Sequence, residues 1–378
     1  MNVYLDYSAT TPLAAEVNKA IFDWQARHFG NPSSVHRFGQ SAKIKLEETR
    51  DVLANELGAQ SNEIFFTSGG TESNNLALIG LARSLARRNK PIHVILSAIE
   101  HSSVREVGKY LQENGFRVDW AMPDRQGRIT LPSVRQLMRS DTCMVSVMMV
   151  NNETGIINEV PEIAAYCREK GIVCHSDAVQ AFGKIDINVS TLPVDLLSVS
   201  AHKIYGPKGC GALFKRQGIA LEKTALGGGQ ESSLRGGTEN LPGIVGLGKA
   251  VQLIGENKND YEHARQRQQG FEDALRRVYA RTRVIGQEAD RSPFISKIAF
   301  PGINSESMLL NLDMEGIAVS VGSACSSGSI RPSHVLQAMQ LPEDIVNSAL
   351  RFSFGRYTTD QELQYTVNKI EAILQRLL

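Results

Sequence analysis

The 378-residue sequence lacks a charge excess of either sign, because 41 Lys and Arg residues stand against 40 Asp and Glu residues. This balance gives no general electrostatic reason to bind nucleic acid or an acidic membrane surface, and we expect neither as a partner. Apolar runs of the ~18 residues that cross a bilayer are missing. The N-terminus, Met1 to Asp6, has no signal-peptide pattern. Five scattered cysteines do not suggest a disulfide framework, so we expect a cytoplasmic protein with reduced thiols.

The first two thirds of the chain alternate short apolar runs with helical periodicity. Buried strands are predicted at residues 63–67, 93–96, 144–150, 172–175 and 196–199. Helices are predicted at residues 73–87, 102–114 and 161–170. This alternation indicates an α/β fold with a mostly parallel sheet flanked by helices. Ligands of such sheets bind beyond the carboxyl ends of the strands.

The alternation fades after Gly248, where a polar stretch at 256–277 predicts a surface helix. Further strands near 296–300, 318–320 and 350–354, with a terminal helix after Thr359, predict a second unit. The length of the chain also exceeds the usual size of a single core. We therefore expect a large domain at 15–255 and a smaller α+β domain formed by 1–14 and 256–378.

Lys203 follows an apolar strand and precedes a Gly/Pro turn, in the segment SAHKIYGPKG at 200–209. A lysine at this edge can lose its proton by desolvation and form a Schiff base with an aldehyde. Its neighbours Ser200 and His202 offer groups for a phosphate. The competing interpretation is a surface lysine, which is the common situation for this residue type.

Polar residues follow four other predicted strands. Asp177 is suited to pair with a protonated pyridine nitrogen. Gln180 lies one helical turn further on and is suited to a phenolate oxygen. Alternatively, Asp177 is a helix N-cap. Gly70 and Thr71 lie at a glycine-rich turn that is suited to bind an anion. His101 is placed to stack on a flat ring, and Asn152 is placed to contact substrate. Each has an ordinary structural alternative, namely a capped turn or a structural histidine. Together they fit one phosphorylated pyridine aldehyde. Metal binding is disfavoured because Cys167, Cys174 and His175 lack zinc-ligand spacing.

Cys325 differs from the other cysteines because it lies in a run of small residues at 319–329. A thiol there is accessible and free to move, as a nucleophile requires, although a bystander cysteine in a linker fits equally well. Arg351, on a predicted strand, offers a fork for an α-carboxylate or serves as a buried structural arginine.

Taken together, these residues resemble the cysteine desulfurases of the class V aminotransferase family, which are pyridoxal-phosphate enzymes of fold type I. The resemblance covers nearly the whole chain. Its motifs lie at residues 4–12, 29–34, 67–75, 98–102, 150–155, 175–180, 200–209, 227–231, 235–240, 319–329 and 351–356.

The resemblance implies a role for each residue. Lys203 would hold pyridoxal 5'-phosphate as a Schiff base, and Cys325 would receive sulfur from L-cysteine as a persulfide while L-alanine leaves. Thr238 would reach the phosphate of a neighbouring subunit, which implies a homodimer with shared sites. The remaining roles are cofactor ring stacking by His101, ring contacts by Asp177 and Gln180, phosphate contacts by Gly70, Thr71, Ser200 and His202, and substrate contacts by Asn152 and Arg351.

Alternatives remain open at this point. A selenocysteine lyase or another pyridoxal-phosphate lyase has the same fold, and a non-catalytic partner-binding protein is a different class of answer. Val321 and Arg331 stand where the family commonly has Ser and Glu. A protein sulfur acceptor is expected but not identified, and iron–sulfur clusters, tRNA thiolation and DNA phosphorothioation all remain possible destinations.

Overall fold

The computed structural model describes residues 1–87, 92–255, 260–322 and 332–377. Its strands are β1 Val3–Tyr4, β2 Ile64–Thr67, β3 His93–Ser97, β4 Arg117–Ala121, β5 Thr142–Ser146, β6 Val173–Asp177, β7 Leu196–Ser200, β8 Gly211–Lys215, β9 Arg283–Val284, β10 Ile295–Ala299, β11 Ile317–Ala318 and β12 Ala349–Ser353. Its α-helices are α1 Ala15–Gln25, α2 Arg37–Leu57, α3 Gly70–Ala86, α4 Ser102–Glu113, α5 Leu131–Arg135, α6 Val160–Lys170, α7 Leu241–Gly255, α8 Asp260–Val278, α9 Ser305–Met314, α10 His334–Ala338, α11 Glu343–Val346 and α12 Asp360–Leu377.

The central sheet has seven strands in the order β2–β8–β7–β6–β5–β3–β4. Within it, β8 runs antiparallel to both of its neighbours, whereas the pairs from β7 to β4 are parallel. The predicted α/β fold with a mostly parallel sheet is therefore confirmed. Strands β4 and β8 were not predicted. Strand β4 is a partly exposed edge strand with charged residues, so it lacks the continuous apolar pattern of a buried parallel strand.

Several predicted boundaries differ from the observed ones. Strand β5 ends at Ser146 rather than at residue 150, although the next residues still bond to β6: Val147 N donates to His175 O at 3.2 Å, and Met149 N donates to Asp177 O at 2.9 Å. Strand β6 extends to Asp177, two residues beyond the prediction. The sheet therefore fixes the backbone of Asp177.

Helices cover both faces of this sheet. On one face, Leu53 of α2 and Leu247 of α7 belong to a single apolar core with Val145 and Val199 of the sheet. On the other face, Leu78 of α3 joins a second core with strands β3 and β5. The apolar stripe of each helix is buried against the sheet. Each large apolar side chain that is fully buried in this way stabilises the fold by about 1.5–3 kcal/mol.

A smaller antiparallel sheet, in the order β12–β10–β9, has its own core. Phe271 of α8, Leu312 of α9 and Ile370 of α12 pack there against Phe352 of β12. Strand β1 pairs with β11, which joins the N-terminus to this unit. We retain the division at residue 255 as a proposal.

Among the helices of the described residues, none has the length and apolar character needed to cross a membrane. The described ranges also contain no group of three or more His, Cys, Asp or Glu residues arranged to hold a metal ion. The four described cysteines are free thiols: Cys143, Cys167, Cys174 and Cys210.

Candidate active site

Lys203 ends a short 3-10 turn, Ala201–Lys203, directly after strand β7. Its Nζ donates to the carbonyl oxygens of Ser8 and Ala9, the latter at 2.8 Å. Burial lowers the pKa of Lys203 to about 8, and the nearby Arg351 guanidinium adds to the decrease, while Asp6 and Asp177 oppose it. Roughly a tenth of this amine is therefore neutral and nucleophilic at pH 7, far more than for an ordinary lysine.

Asp177, at the end of β6, is buried and held by two donors. Asn74 Nδ2 of α3 donates to its Oδ2 at 2.7 Å, and Val179 N donates to its Oδ1 at 2.9 Å. Asn74 Nδ2 also donates to Ser103 Oγ at 2.8 Å, which lies 2.8 Å from His101 Nδ1. Asn74 therefore links the predicted ring-nitrogen partner to the predicted stacking histidine.

His101 is the N-cap of α4, and its Nδ1 accepts from Ser103 N at 3.1 Å. Burial lowers the pKa of His101, as do Lys203 and Arg351, whereas Asp177 raises it. These influences show that the four groups share one neighbourhood. The imidazole is consequently neutral at neutral pH.

Gln180 is oriented at both ends of its amide. Its Nε2 donates to Ser8 O at 2.8 Å, the same oxygen that receives Lys203 Nζ, and its Oε1 accepts from Lys184 Nζ at 2.9 Å. Burial lowers the pKa of Lys184 to about 7. Ser8, near the N-terminus, thus accepts hydrogen bonds from two predicted cofactor residues, Lys203 and Gln180.

The glycine-rich turn before α3 forms an anion cradle. Gly69, the N-cap residue, has φ +147° and no side-chain cap, so the first N–H groups of the helix have no side-chain acceptor there. An added Cβ on Gly70 would lie 2.6 Å from Val179 Cγ2, so the glycine is needed for this close approach. Thr71 lies exposed on the first turn. A long helix with an open N-terminus favours a phosphate at this position.

Ser200 lies beside the same cradle, and His202 follows it two residues later. A Cβ on Gly69 would lie 3.7 Å from Ser200 Oγ, and this oxygen is buried without a hydrogen-bond partner among the described residues. His202 Nδ1 lies 3.2 Å from Thr10 Oγ1. Burial lowers the pKa of His202 to about 4, and the neighbouring lysines add to the decrease, so its ring is neutral.

Arg351 of β12 is buried beside these groups. Its Nη2 donates to Asp6 Oδ1 at 2.7 Å and its Nη1 to the backbone oxygen of Asn152 at 2.9 Å. Its Nε is buried with no acceptor in the described part of the chain. Asn152 therefore meets Arg351 through its backbone, and Asp6 was not predicted.

One predicted residue in the described part of the chain, Thr238, is not brought into this cluster. Thr238 lies exposed on the segment 227–240, as a residue directed at another subunit would. Cys325 lies outside the described residues.

Pyridoxal 5'-phosphate fits the residues that are present. The cradle at Gly69 and Gly70 is open to a phosphate, and the buried Ser200 Oγ lacks a protein partner. A fixed carboxylate at Asp177 suits a protonated pyridine nitrogen, and the amine of Lys203 suits an aldehyde carbon. The residues could therefore hold phosphate, ring and aldehyde together.

Comparisons with known proteins agree with this arrangement. A family model described as aminotransferase class-V matches residues 3–366. The cysteine desulfurase IscS of Dictyoglomus turgidum is 43% identical over 99% of this chain and 95% of its own length. A solved NifS-like protein is 34% identical with a TM-score of 0.93, covering 100% of both chains. SspA, solved in complex with cysteine, is 35% identical with a TM-score of 0.82, covering 94% of this chain and 100% of its own. The chain therefore belongs to the class-V aminotransferase family, among its cysteine desulfurases.

Proposed function

We propose that this chain transfers sulfur from L-cysteine to Cys325, releasing L-alanine and leaving a persulfide. The observation that carries the proposal is the Lys203 amine, whose pKa is lowered to about 8 by burial within one cluster with Arg351 and Asp177. An amine of this kind is suited to an aldehyde cofactor. Membership among the cysteine desulfurases supplies the substrate class.

Pyridoxal 5'-phosphate, when bound, supplies an electron sink that weakens bonds at the substrate Cα and Cβ. Lys203 would hold it covalently, and Asp177 and Gln180 would contact its ring. The phosphate contacts would come from Gly70, Thr71, Ser200 and His202.

The substrate would be oriented by its carboxylate. Arg351 is already held by Asp6 and Asn152 O, so its guanidinium is preorganised before the substrate arrives, and its Nε is buried without an acceptor among the described residues. A carboxylate that accepts from an oriented guanidinium forms a strong, directional contact. The Lys203 amine, freed once the substrate amine has taken its place, would then take the Cα proton, and the neutral ring of His101 would be available to hold a proton nearby.

The sulfur step is a displacement at the substrate Sγ. The Cys325 thiolate attacks this sulfur, an S–S bond forms, and the Cβ–S bond breaks with its electron pair left on carbon. Cβ then takes a proton and Cα regains the proton held by Lys203, so carbon is reduced while sulfur is oxidised, and no external oxidant is needed. Cysteine and a thiol thus give alanine and a persulfide in balance.

A direct test compares the parent chain with Cys325→Ser, loaded with pyridoxal 5'-phosphate. We expect Cys325→Ser to keep the visible absorbance of the lysine-linked cofactor and to lose alanine formation. Cys143→Ser is the matched control, because Cys143 is a half-buried free thiol whose pKa is raised to about 11 by burial, so it is not a nucleophile. Undiminished alanine formation by Cys325→Ser would contradict the sulfur-acceptor role.

A homodimer is part of the proposal. Large apolar side chains stand exposed around the first two helices and on the segment that leads to Thr238: Phe22, Phe29, Val35, Ile44 and Leu226, at 61–90% exposure. Exposed apolar groups in such number favour a protein interface. The partner copy would then cover them, and Thr238 would reach the phosphate cradle of that copy.

Hybrid dimers test the shared site. Lys203→Ala and Thr238→Ala chains are mixed, unfolded and refolded together, and compared with each variant alone. If Thr238 serves the other subunit, each hybrid has one site with both defects and one intact site, so the activity of the mixture rises above the mean of the two separate variants. Activity equal to the mean of the two separate variants would contradict the shared site.

The persulfide is expected to pass to a protein acceptor. The destination is best sought by trapping mixed disulfides between the persulfide-loaded chain and cellular proteins, followed by mass spectrometry. Acceptors that are captured equally by Cys325→Ser would not be counted as partners.

A further inference from the structure

A buried ion pair lies where the segment that contains Cys325 leaves and rejoins the described chain. Lys297 of β10 is fully buried, and Glu153, in the turn after β5, is 1% exposed. Lys297 Nζ lies 3.7 Å from Glu153 Oε2. The described chain stops at Gly322 and resumes at Pro332, and both flanks contact this pair.

The departing flank contacts the lysine. Lys297 Nζ donates to the backbone oxygen of Val321 at 2.5 Å. Gly322 has φ +100°, and a Cβ placed on it would lie 2.6 Å from Glu153 Oε2 and 2.8 Å from Lys297 Nζ. Only glycine fits so close to the pair in this conformation. The backbone therefore crosses directly over both charged groups.

The returning flank contacts the glutamate. Ser333 Oγ donates to Glu153 Oε2 at 2.6 Å, and the same hydroxyl caps α10 by accepting from Leu336 N at 3.2 Å. Glu153 is itself fixed, since its N–H donates to Asn151 Oδ1 at 3.0 Å. One carboxylate oxygen thus faces both ends of the segment.

The pair is also continuous with the candidate active site. Lys297 is the register partner of Arg351 on the adjacent strand. The residue before Glu153 is Asn152, whose backbone oxygen accepts from Arg351 at 2.9 Å. The two flanks are therefore linked, through this pair, to the guanidinium that would hold the substrate.

The pair is a costly way to stabilise a core. Removing two charges from water is expensive, and apolar replacements of buried ion pairs are often neutral or stabilising. Burial lowers the pKa of Lys297 to about 8, and Glu153 opposes this decrease. A role in positioning the two flanks accounts for the burial of these charges, whereas packing alone does not.

We propose that Glu153 and Lys297 are positioning residues for the sulfur-transfer step, which fix the two ends of the Cys325 segment relative to the substrate site. This inference rests on the proposed function, because it assigns the pair to the delivery of that thiol. Neither residue touches substrate or cofactor in this role. Their contribution is confined to the step in which Cys325 meets the substrate sulfur.

The test separates substrate binding from sulfur transfer in the full chain loaded with pyridoxal 5'-phosphate. Rapid mixing with L-cysteine gives the absorbance change on substrate binding, and acid quenching followed by mass spectrometry gives the persulfide on Cys325. The variants are Glu153→Leu/Lys297→Met, which leaves no lone charge, and Ser333→Ala, which removes one flank contact. The control is Glu272→Leu/Arg291→Met, because this ion pair, at 2.9 Å between a half-buried arginine and a buried glutamate, lies in the same unit.

We expect the first double variant to keep the absorbance change and to form persulfide roughly 10- to 100-fold more slowly, the effect of about 1 Å of misplacement. Ser333→Ala should show a smaller slowing of the same step, and it carries the test if the double variant does not fold. The control should slow neither step. Persulfide formation at the parent rate in both variants, or an equal loss of both steps, would overturn the inference. A parent chain that forms no persulfide would instead overturn the proposed function, and the inference with it.

Discussion

Replacing Asn74 by leucine should weaken both the fold and the hold on the cofactor. The side chain is fully buried, and its Nδ2 donates to the Asp177 carboxylate at 2.7 Å and to Ser103 Oγ at 2.8 Å. A hydrogen bond to a charged group contributes about 1.5–3 kcal/mol and a neutral one about 0.5–1.5 kcal/mol. Leucine has a similar volume, so cavity formation adds little. The expected loss of unfolding free energy is therefore about 2–4.5 kcal/mol.

Cofactor affinity should fall as well, because Asp177 would keep the Val179 N–H on Oδ1 but lose the Asn74 donor on Oδ2. A carboxylate held at one oxygen can rotate away from a ring nitrogen. If about half of the charge-assisted hydrogen bond is expressed in cofactor binding, affinity falls by about 0.8–1.5 kcal/mol, or roughly three- to twelvefold.

The assay is urea unfolding of the cofactor-free chain, followed by titration with pyridoxal 5'-phosphate. The matched control is Asn114→Leu, because Asn114 makes an exposed bond to Tyr110 O and should change stability by less than about 0.5 kcal/mol. An Asn74→Leu chain with the urea midpoint and cofactor affinity of the parent would refute the reasoning.

Three further predictions follow from burial and close packing. The rate at which the cofactor-free chain takes up pyridoxal 5'-phosphate should rise with pH, with its midpoint near the Lys203 pKa of about 8, and level off once the amine is mostly neutral; Arg351→Gln, which removes a cation that lowers this pKa, should move the profile to higher pH in stopped-flow measurements. Burial holds the pKa of Glu100 well above its usual 4.5, with Asp177 adding to the shift, so the folded chain retains a proton that the unfolded chain releases above about pH 4.5. Its contribution to stability is present below pH 4.5 and is lost as the pH rises towards the folded-state pKa. Glu100→Gln should therefore gain stability relative to the parent as the pH is raised from 5 to 8 in urea unfolding, and a constant difference would contradict this. Gly70→Ala should weaken cofactor binding, because the new Cβ would meet Val179 Cγ2 at 2.6 Å, and Val179→Ala in the same chain should restore it; failure of this rescue in cofactor titrations would contradict the steric explanation.

The sequence predicted the sheet from its most regular signals. The buried parallel strands are continuous apolar runs, and polar groups follow them at the edge where ligands bind. Strand β4 was not predicted because its charged and partly exposed residues interrupt the apolar pattern that marks a buried strand. Strand β8 was missed because its position between β2 and β7 depends on pairing with distant segments.

Contacts between distant segments were beyond prediction from the sequence alone. Asn74 lies inside the recognised glycine-rich motif, but only the fold brings its amide to Asp177, 103 residues away in sequence. The support of Lys203 by Ser8 and Ala9 uses backbone oxygens, which no side-chain pattern reveals. Glu153 looked like an ordinary residue beside Asn152, because its partners lie on β10 and after the Cys325 segment.

The support of Lys203 by Ser8 has a consequence for biosynthesis. Ser8 N donates to Ser353 Oγ at 2.9 Å, a contact between residues 345 positions apart. The segment around Ser8, which leaves the ribosome well before β12, can thus reach its final position only after β12 has been translated. Contacts of such long range form slowly, because the intervening chain must first be ordered. A nascent chain that contains Lys203 but not yet β12 would therefore lack the fixed Ser8 carbonyl that accepts from the Lys203 amine. Cofactor loading would then follow the translation of β12.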